Sequence, residues 1–174
     1  MVELKDATLI VGGRRLFTNL SLMAQDGQLT CITGPADSGK TALVQVRLGC
    51  LLLDEGLVSV DGELLTPLSA PTFRRFMAYL PQKRAVTIVQ PEIDLSGLET
   101  VWSPHNNRRY QLMPIDEHLV VPPIASKPII IADDPEPSLF AVLKSLAVVG
   151  HTVVATSQSA EFLNLSDKLV TLGK

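Results

Sequence analysis

The stretch Gly34-Pro35-Ala36-Asp37-Ser38-Gly39-Lys40-Thr41 has the pattern GxxxxGK[ST]. In a loop of this kind backbone N–H groups surround phosphates, the lysine reaches the terminal phosphates and the hydroxyl helps to hold Mg²⁺. The flanking residues fit that chemistry. Leu29-Thr30-Cys31-Ile32-Thr33 in front is β-branched and apolar, while Thr41 to Leu48 behind places Leu43, Val44 and Leu48 at the spacing of a buried helix face. The predicted order is therefore strand, glycine loop, helix, with the helix N-terminus directing unpaired N–H groups and partial positive charge at the same phosphates. An ordinary glycine-rich turn gives no reason for a lysine and a hydroxyl to follow Gly39. Gly34, Pro35, Ala36, Asp37, Ser38, Gly39, Lys40 and Thr41 are the candidate nucleotide-binding residues, and Thr41 is also a candidate metal ligand.

A chain of 174 residues is long enough for one domain with a buried core, and residues 1–174 are expected to form a single unit. With 46% hydrophobic residues but only 5% aromatics, that core must be built from Leu, Val and Ile, as in a sheet covered on both faces. No apolar run approaches the ~20 residues of a membrane span. Met1 to Asp6 lacks the basic-then-apolar pattern of a secretory signal. A cytoplasmic protein is expected, not inserted in a membrane and reaching its inner face only through a partner. The net charge of −3 provides no global field for nucleic acid. The pairs Arg14-Arg15, Arg74-Arg75 and Arg108-Arg109 are expected to be solvated surface. Cys31 and Cys50 lack metal-ligand spacing and are expected to be small buried hydrophobes.

Taken in order, residues 2–10 and 16–24 alternate as half-buried strands around a Gly12-Gly13 turn. Asp26-Gly27 turns the chain into the strand before the loop. Asp61-Gly62 marks a second hairpin between residues 57–60 and 63–65, Ser69 or Thr72 is a candidate cap for a turn of helix through Arg75, and residues 77–80 read as a buried strand. Residues 83–127 carry Pro91, Pro104, Pro114, Pro122 and Pro123, which leaves room only for short helices at 93–102 and 115–121. Pro128 to Ala132 is the next strand, Ser138 to Val149 a helix burying positions 139, 142, 143 and 146, and residues 152–156 a further strand. Ser159 is a candidate cap for a short helix to Leu165, before a last strand at 168–172.

The aliphatic strand ending in Asp133-Asp134 is the second carrier of chemistry. A carboxylate at such a strand end can hold Mg²⁺ or its waters beside the β and γ phosphates, which points to Asp133. Asp134 is placed to orient or polarise an attacking water. Acidic residues also favour helix starts, but the upstream loop gives these two a phosphate-binding context.

Together these features resemble the nucleotide-binding domain of ATP-binding cassette (ABC) proteins. The resemblance covers Met1 to about Arg84 and about Lys127 to the end, through GPADSGKT at 34–41, YLPQ at 79–82, IIIADDP at 129–135 and VVATSQ at 153–158 before DKLVTL at 167–172. It implies an α/β fold of the P-loop NTPase type with three layers, a mixed sheet and an N-terminal antiparallel β-subdomain. It also implies that Gln82 senses Mg²⁺ and the γ-phosphate, that Asp133 is the metal-side aspartate and that Asp134 stands for the catalytic carboxylate, usually a glutamate. The sequence departs from the family pattern where Val11 replaces an adenine-stacking aromatic, Asp37 a loop glycine and Ser157 a switch histidine. No LSGGQ-like signature precedes Asp133; Leu95-Ser96-Gly97-Leu98 shares only its first three letters. Only 51 positions separate Gln82 from Asp133, so the helical subdomain is expected to be reduced.

The resemblance implies an ATP-binding subunit that binds Mg·ATP and works with a second cassette subunit or a transmembrane permease, with hydrolysis that is weak or depends on the partner. The alternative is a degenerate, non-hydrolysing cassette that serves as a binding or regulatory module. A GTPase is a third reading: Asp94-Leu95-Ser96-Gly97 gives a DxxG string, but no guanine-reading NKxD motif follows it.

Overall fold

The computed structural model describes residues 1–81 and 127–173. The chain opens with two long strands, β1 (Val2–Val11) and β2 (Arg14–Ala24), joined at Gly12-Gly13, both with positive φ. β3 (Leu29–Thr33) then leads into the glycine loop and α1 (Lys40–Arg47). β4 (Glu55–Val60) and β5 (Glu63–Leu64) meet at Asp61-Gly62, where both residues again have positive φ, as the tight hairpin turns demand. α2 (Ala70–Arg74) precedes β6 (Met77–Leu80). β7 (Ile129–Asp133) is followed by a 3₁₀ turn at Pro137–Leu139, α3 (Phe140–Val148), β8 (Thr152–Thr156), α4 (Ala160–Leu165) and β9 (Lys168–Thr171).

The strands form two sheets. One is antiparallel, in the order β2-β1-β4-β5; the other has the order β6-β7-β8-β3-β9 and is parallel throughout. The mixed character expected from the sequence is thus divided between two sheets. Side-chain alternation on the parallel sheet feeds two cores. Ile129, Ile131, Ile32 and Val154 pack with α1 and with Val2, Leu4 and Val60 of the antiparallel sheet. Ile130, Ala132, Cys31 and Val153 face the other way, against Phe140, Leu143 and Phe162 of α3 and α4. Both faces being covered, β3, β7 and β8 read as unbroken aliphatic runs.

Several local expectations are corrected. The predicted helix from Ser138 begins as a 3₁₀ turn, and α-helical bonding starts only at Phe140. Ser69 and Ser159 occupy N-cap positions, yet neither makes a side-chain cap bond. The Ser69 hydroxyl instead donates to the Leu64 carbonyl and accepts the Thr66 N–H, and the Ser159 N–H itself donates to Ser157 Oγ. Cys50 is exposed rather than buried. α1 ends in a Schellman arrangement, with Gly49 N–H on Val46 O and Cys50 N–H on Gln45 O, and the left-handed Gly49 turns the chain outward before Cys50. A side chain at 49 would have its Cβ 2.5 Å from that of Ala70. Cys31 is fully buried, which pushes its thiol up to about 11. The segments predicted at 93–102 and 115–121, the reduced subdomain at 83–127 but for Lys127, Asp94 to Leu98 and Arg108-Arg109 lie outside the described residues.

Arg47 went unnoticed in the sequence. It lies on the buried side of α1 with Leu43, Val44 and Val46 and has no exposed surface. Among the described residues none of its guanidinium nitrogens has a hydrogen-bond partner, and burial pushes its pKa down to about 10. The folded state therefore holds the proton less tightly than the unfolded chain, so this cost is present at neutral pH and is relieved as pH rises through about 10. An apolar residue of similar length removes it. Arg47→Met is expected to stabilise the protein by about 1–3 kcal/mol at pH 7. Chemical denaturation of both proteins checks this, and a less stable variant refutes it.

Candidate functional site

Three parallel strand ends build the site. β8 lies between β7 and β3, with Thr156 opposite Asp133 on one side and Ile32 on the other. The glycine loop that leaves β3 is shaped by its own backbone. Gly34 has φ 154°, and a Cβ there would come within 2.7 Å of both the Leu172 carbonyl oxygen and Ser38 Oγ. Gly39, at the N-cap of α1, has φ 93°, and a Cβ would stand 3.1 Å from that of Leu16. Asp37 adopts φ 59°, a left-handed conformation that aspartate tolerates better than most residues. The first N–H groups of α1 lack intrahelical partners and point toward the loop's concave side.

Lys40 Nζ donates to the Gly34 carbonyl at 2.8 Å and to that of Pro35 at 2.7 Å. Gln158 Nε2 donates to the same Gly34 oxygen at 2.6 Å. Ser38 Oγ is buried without a hydrogen-bond partner among the described residues, so the loop keeps one polar atom in reserve inside its turn.

On the strand β7 side, Asp133 is 2% exposed and Thr156 fully buried. Thr156 Oγ1 donates to Asp133 Oδ1 at 2.6 Å and accepts the Asp134 N–H at 2.9 Å. That N–H also reaches the Thr156 carbonyl at 3.0 Å. One hydroxyl thereby orients the carboxylate of residue 133 and the backbone of residue 134, which turns with φ 50°. Tyr79, on the neighbouring β6, has its phenol pushed up to about 12, by burial first and then by the charges of Asp133 and Cys50.

A cavity of about 500 Å³ joins these parts. Ala36, Asp37, Gly39, Lys40 and Thr41 line it from the loop and α1, and Asp133, Asp134, Thr156 and Gln158 from the parallel sheet. Gly34, Pro35 and Ser38 shape the loop behind that lining. Arg14, expected as solvated surface, is exposed and lines the cavity with Leu16. Gln82 lies outside the described residues. Ser157 is buried, with its hydroxyl turned to the Ser159 N–H, while the next residue, Gln158, lines the cavity. Thr156, Gln158 and Arg14 were not singled out from the sequence. Each reaches the site through a cross-strand or loop contact that one-dimensional spacing does not carry, although the strand TVVAT did mark the segment that delivers Thr156.

The Thr156 bridge can be tested directly. Thr156→Val leaves the buried Asp133 carboxylate without that donor and is expected to cost about 2 kcal/mol of stability, whereas Thr156→Ser keeps most of it. Equal stabilities of the two variants in denaturant would show that the hydroxyl carries no such weight.

Comparison with known proteins places this geometry. A family model described as "ABC transporter" matches residues 17–135. The ATP-binding protein MlaF of the intermembrane phospholipid transport system of Escherichia coli (strain K12) is 30% identical over 122 residues, covering 70% of this chain and 41% of the relative. The Fe(3+) ions import ATP-binding protein FbpC 2 of Pectobacterium atrosepticum is 31% identical over 88 residues, covering 49% of this chain and 25% of that one. The chain thus spans less than half the length of these relatives. Among solved structures, a nucleotide-free ATP-binding cassette from an ABC transporter aligns with TM-score 0.71 at 17% identity, covering 98% of this chain and 87% of that one. A dimeric cassette in a post-hydrolysis state bound to ADP and Pi aligns with TM-score 0.69 at 18% identity, covering 99% and 94%. By its family match, and with the P-loop NTPase fold that these structures share, the chain belongs to the ABC transporter ATP-binding family.

Proposed function

We propose that this chain is the ATP-binding part of an ABC transporter and binds Mg·ATP in the cavity at the glycine loop. The observation that carries this reading is the charge arrangement around one cavity. Two cations, Arg14 and Lys40, and three carboxylates, Asp37, Asp133 and Asp134, line a space closed by a glycine loop and a helix N-terminus. The loop and helix favour an anion, yet the carboxylates repel one. A divalent cation reconciles the two, and a hydroxyl and a carboxylate with phosphates completing the shell is the donor set that Mg²⁺ takes. Thr41 and Asp133 would hold it, with Gln82 as the family's further ligand. Bound there, it would neutralise charge between the β and γ phosphates. Lys40 would exchange its loop carbonyls for phosphate oxygens, and the residues Gly34 to Thr41 would enclose them. Asp134 would orient the attacking water, with its backbone fixed by Thr156. Gln82 would act with Asp134 as its catalytic partner.

Hydrolysis is proposed to depend on a second cassette subunit, with a transmembrane permease as the coupled partner and the chain peripheral to the inner membrane face. Among the described residues no helix is long and apolar enough to cross a membrane. Residues 1–174 are proposed to act as one ATP-binding domain. The relatives, which are named as ATP-binding proteins of transport systems, lend no support to the non-hydrolysing alternative.

Lys40→Ala provides the test. Its ammonium is held by loop carbonyls and not by the apolar core, so the variant is expected to keep stability within about 1 kcal/mol while losing detectable Mg·ATP binding in equilibrium titration. Unchanged affinity would remove the site.

A further inference from the structure

We infer that Arg14 makes the base-side contact of the nucleotide site, holding the purine by a planar cation in place of an aromatic ring. This rests on the phosphate-loop reading above. The cavity has three walls. The loop and α1 form the first, and Asp133, Asp134 and Gln158 from the parallel sheet the second. With phosphates on the first and a divalent cation at the second, the base and ribose are left with the third, the start of β2. There Arg14 and Leu16 stand two positions apart and so share one face of the strand. Both line the cavity. Leu16 lies close against Gly39 and gives that wall an apolar surface. Arg14 Nη2 donates to the Asp37 carbonyl at 3.2 Å, which ties the guanidinium to the rim of the loop.

Among the described residues that line the cavity, none carries an aromatic ring. The flat group at this end is the guanidinium. It is weakly hydrated and stacks readily on a π-face, and with one edge already bonded to the loop it has less freedom to lose when a base covers it. Lysine in its place would keep the charge and lose the plane.

The test is equilibrium titration of the full chain and of Arg14→Ala, Arg14→Lys and Lys40→Ala with Mg·ATP and with Mg·tripolyphosphate, which has the phosphates without the base. Arg14→Ala is expected to weaken ATP by about fivefold while tripolyphosphate stays within about twofold, and Arg14→Lys is expected to remain weakened for ATP. Equal losses for both ligands, no loss for either, or full rescue by lysine overturns the stacking role. Tripolyphosphate binding that survives Lys40→Ala overturns the phosphate-site reading instead, and failure of the wild-type chain to bind either ligand overturns both.

Discussion

The carbonyl oxygen of Gly34 accepts hydrogen bonds from two side chains that are distant in sequence, Lys40 at the start of α1 and Gln158 just beyond β8. Around the same residue the Leu172 carbonyl and Ser38 Oγ stand too close to admit a Cβ. The turn from sheet to helix is thereby fixed from four directions. If that turn shifted, Lys40, the loop rim at Asp37 and the end of β8 would lose their common reference. Placing the cavity at the carboxyl ends of parallel strands follows from this constraint, since β3, β7 and β8 all deliver their last residues to one edge.

The division into two sheets gives that edge a rigid support. α1 is packed between the antiparallel sheet and one face of the parallel sheet, while α3 and α4 cover the other face. The antiparallel sheet also has a direct part in the site. Through Arg14 and Leu16 its second strand supplies a wall, so burial of Val2, Leu4 and Val60 in the shared core sets how close that wall stands to the loop.

Much of this was legible in one dimension because the responsible signals are local. GPADSGKT, the aliphatic runs of β3, β7 and β8, and the Gly12-Gly13 and Asp61-Gly62 turns each state their conformation within a few residues. The loop and the Asp133-Asp134 pair could be expected to meet only through family resemblance, and the strand order supplies the physical reason. Register and hydroxyl direction were not legible. Thr156 bridges Asp133 and Asp134 because parallel pairing sets it opposite residue 133. Ser69 and Ser159 have capping composition, but their environments offered the hydroxyl of one and the N–H of the other different partners. Arg47 defeated the pattern in another way, since a charged residue on a helix is expected to face water unless tertiary packing encloses it.

The two bonds from Lys40 to its own loop alter what phosphate binding means here. An ammonium already carrying two carbonyl acceptors is not a bare charge awaiting a ligand; it occupies, in miniature, the role of the guest. Entry of a phosphate is then an exchange of partners, in which each new contact replaces an old one of the same kind. Such a loop holds its shape before it is filled, so little ordering remains to be done at the moment of capture. Its grip is correspondingly tempered, which suits a subunit that must let its nucleotide go on every cycle.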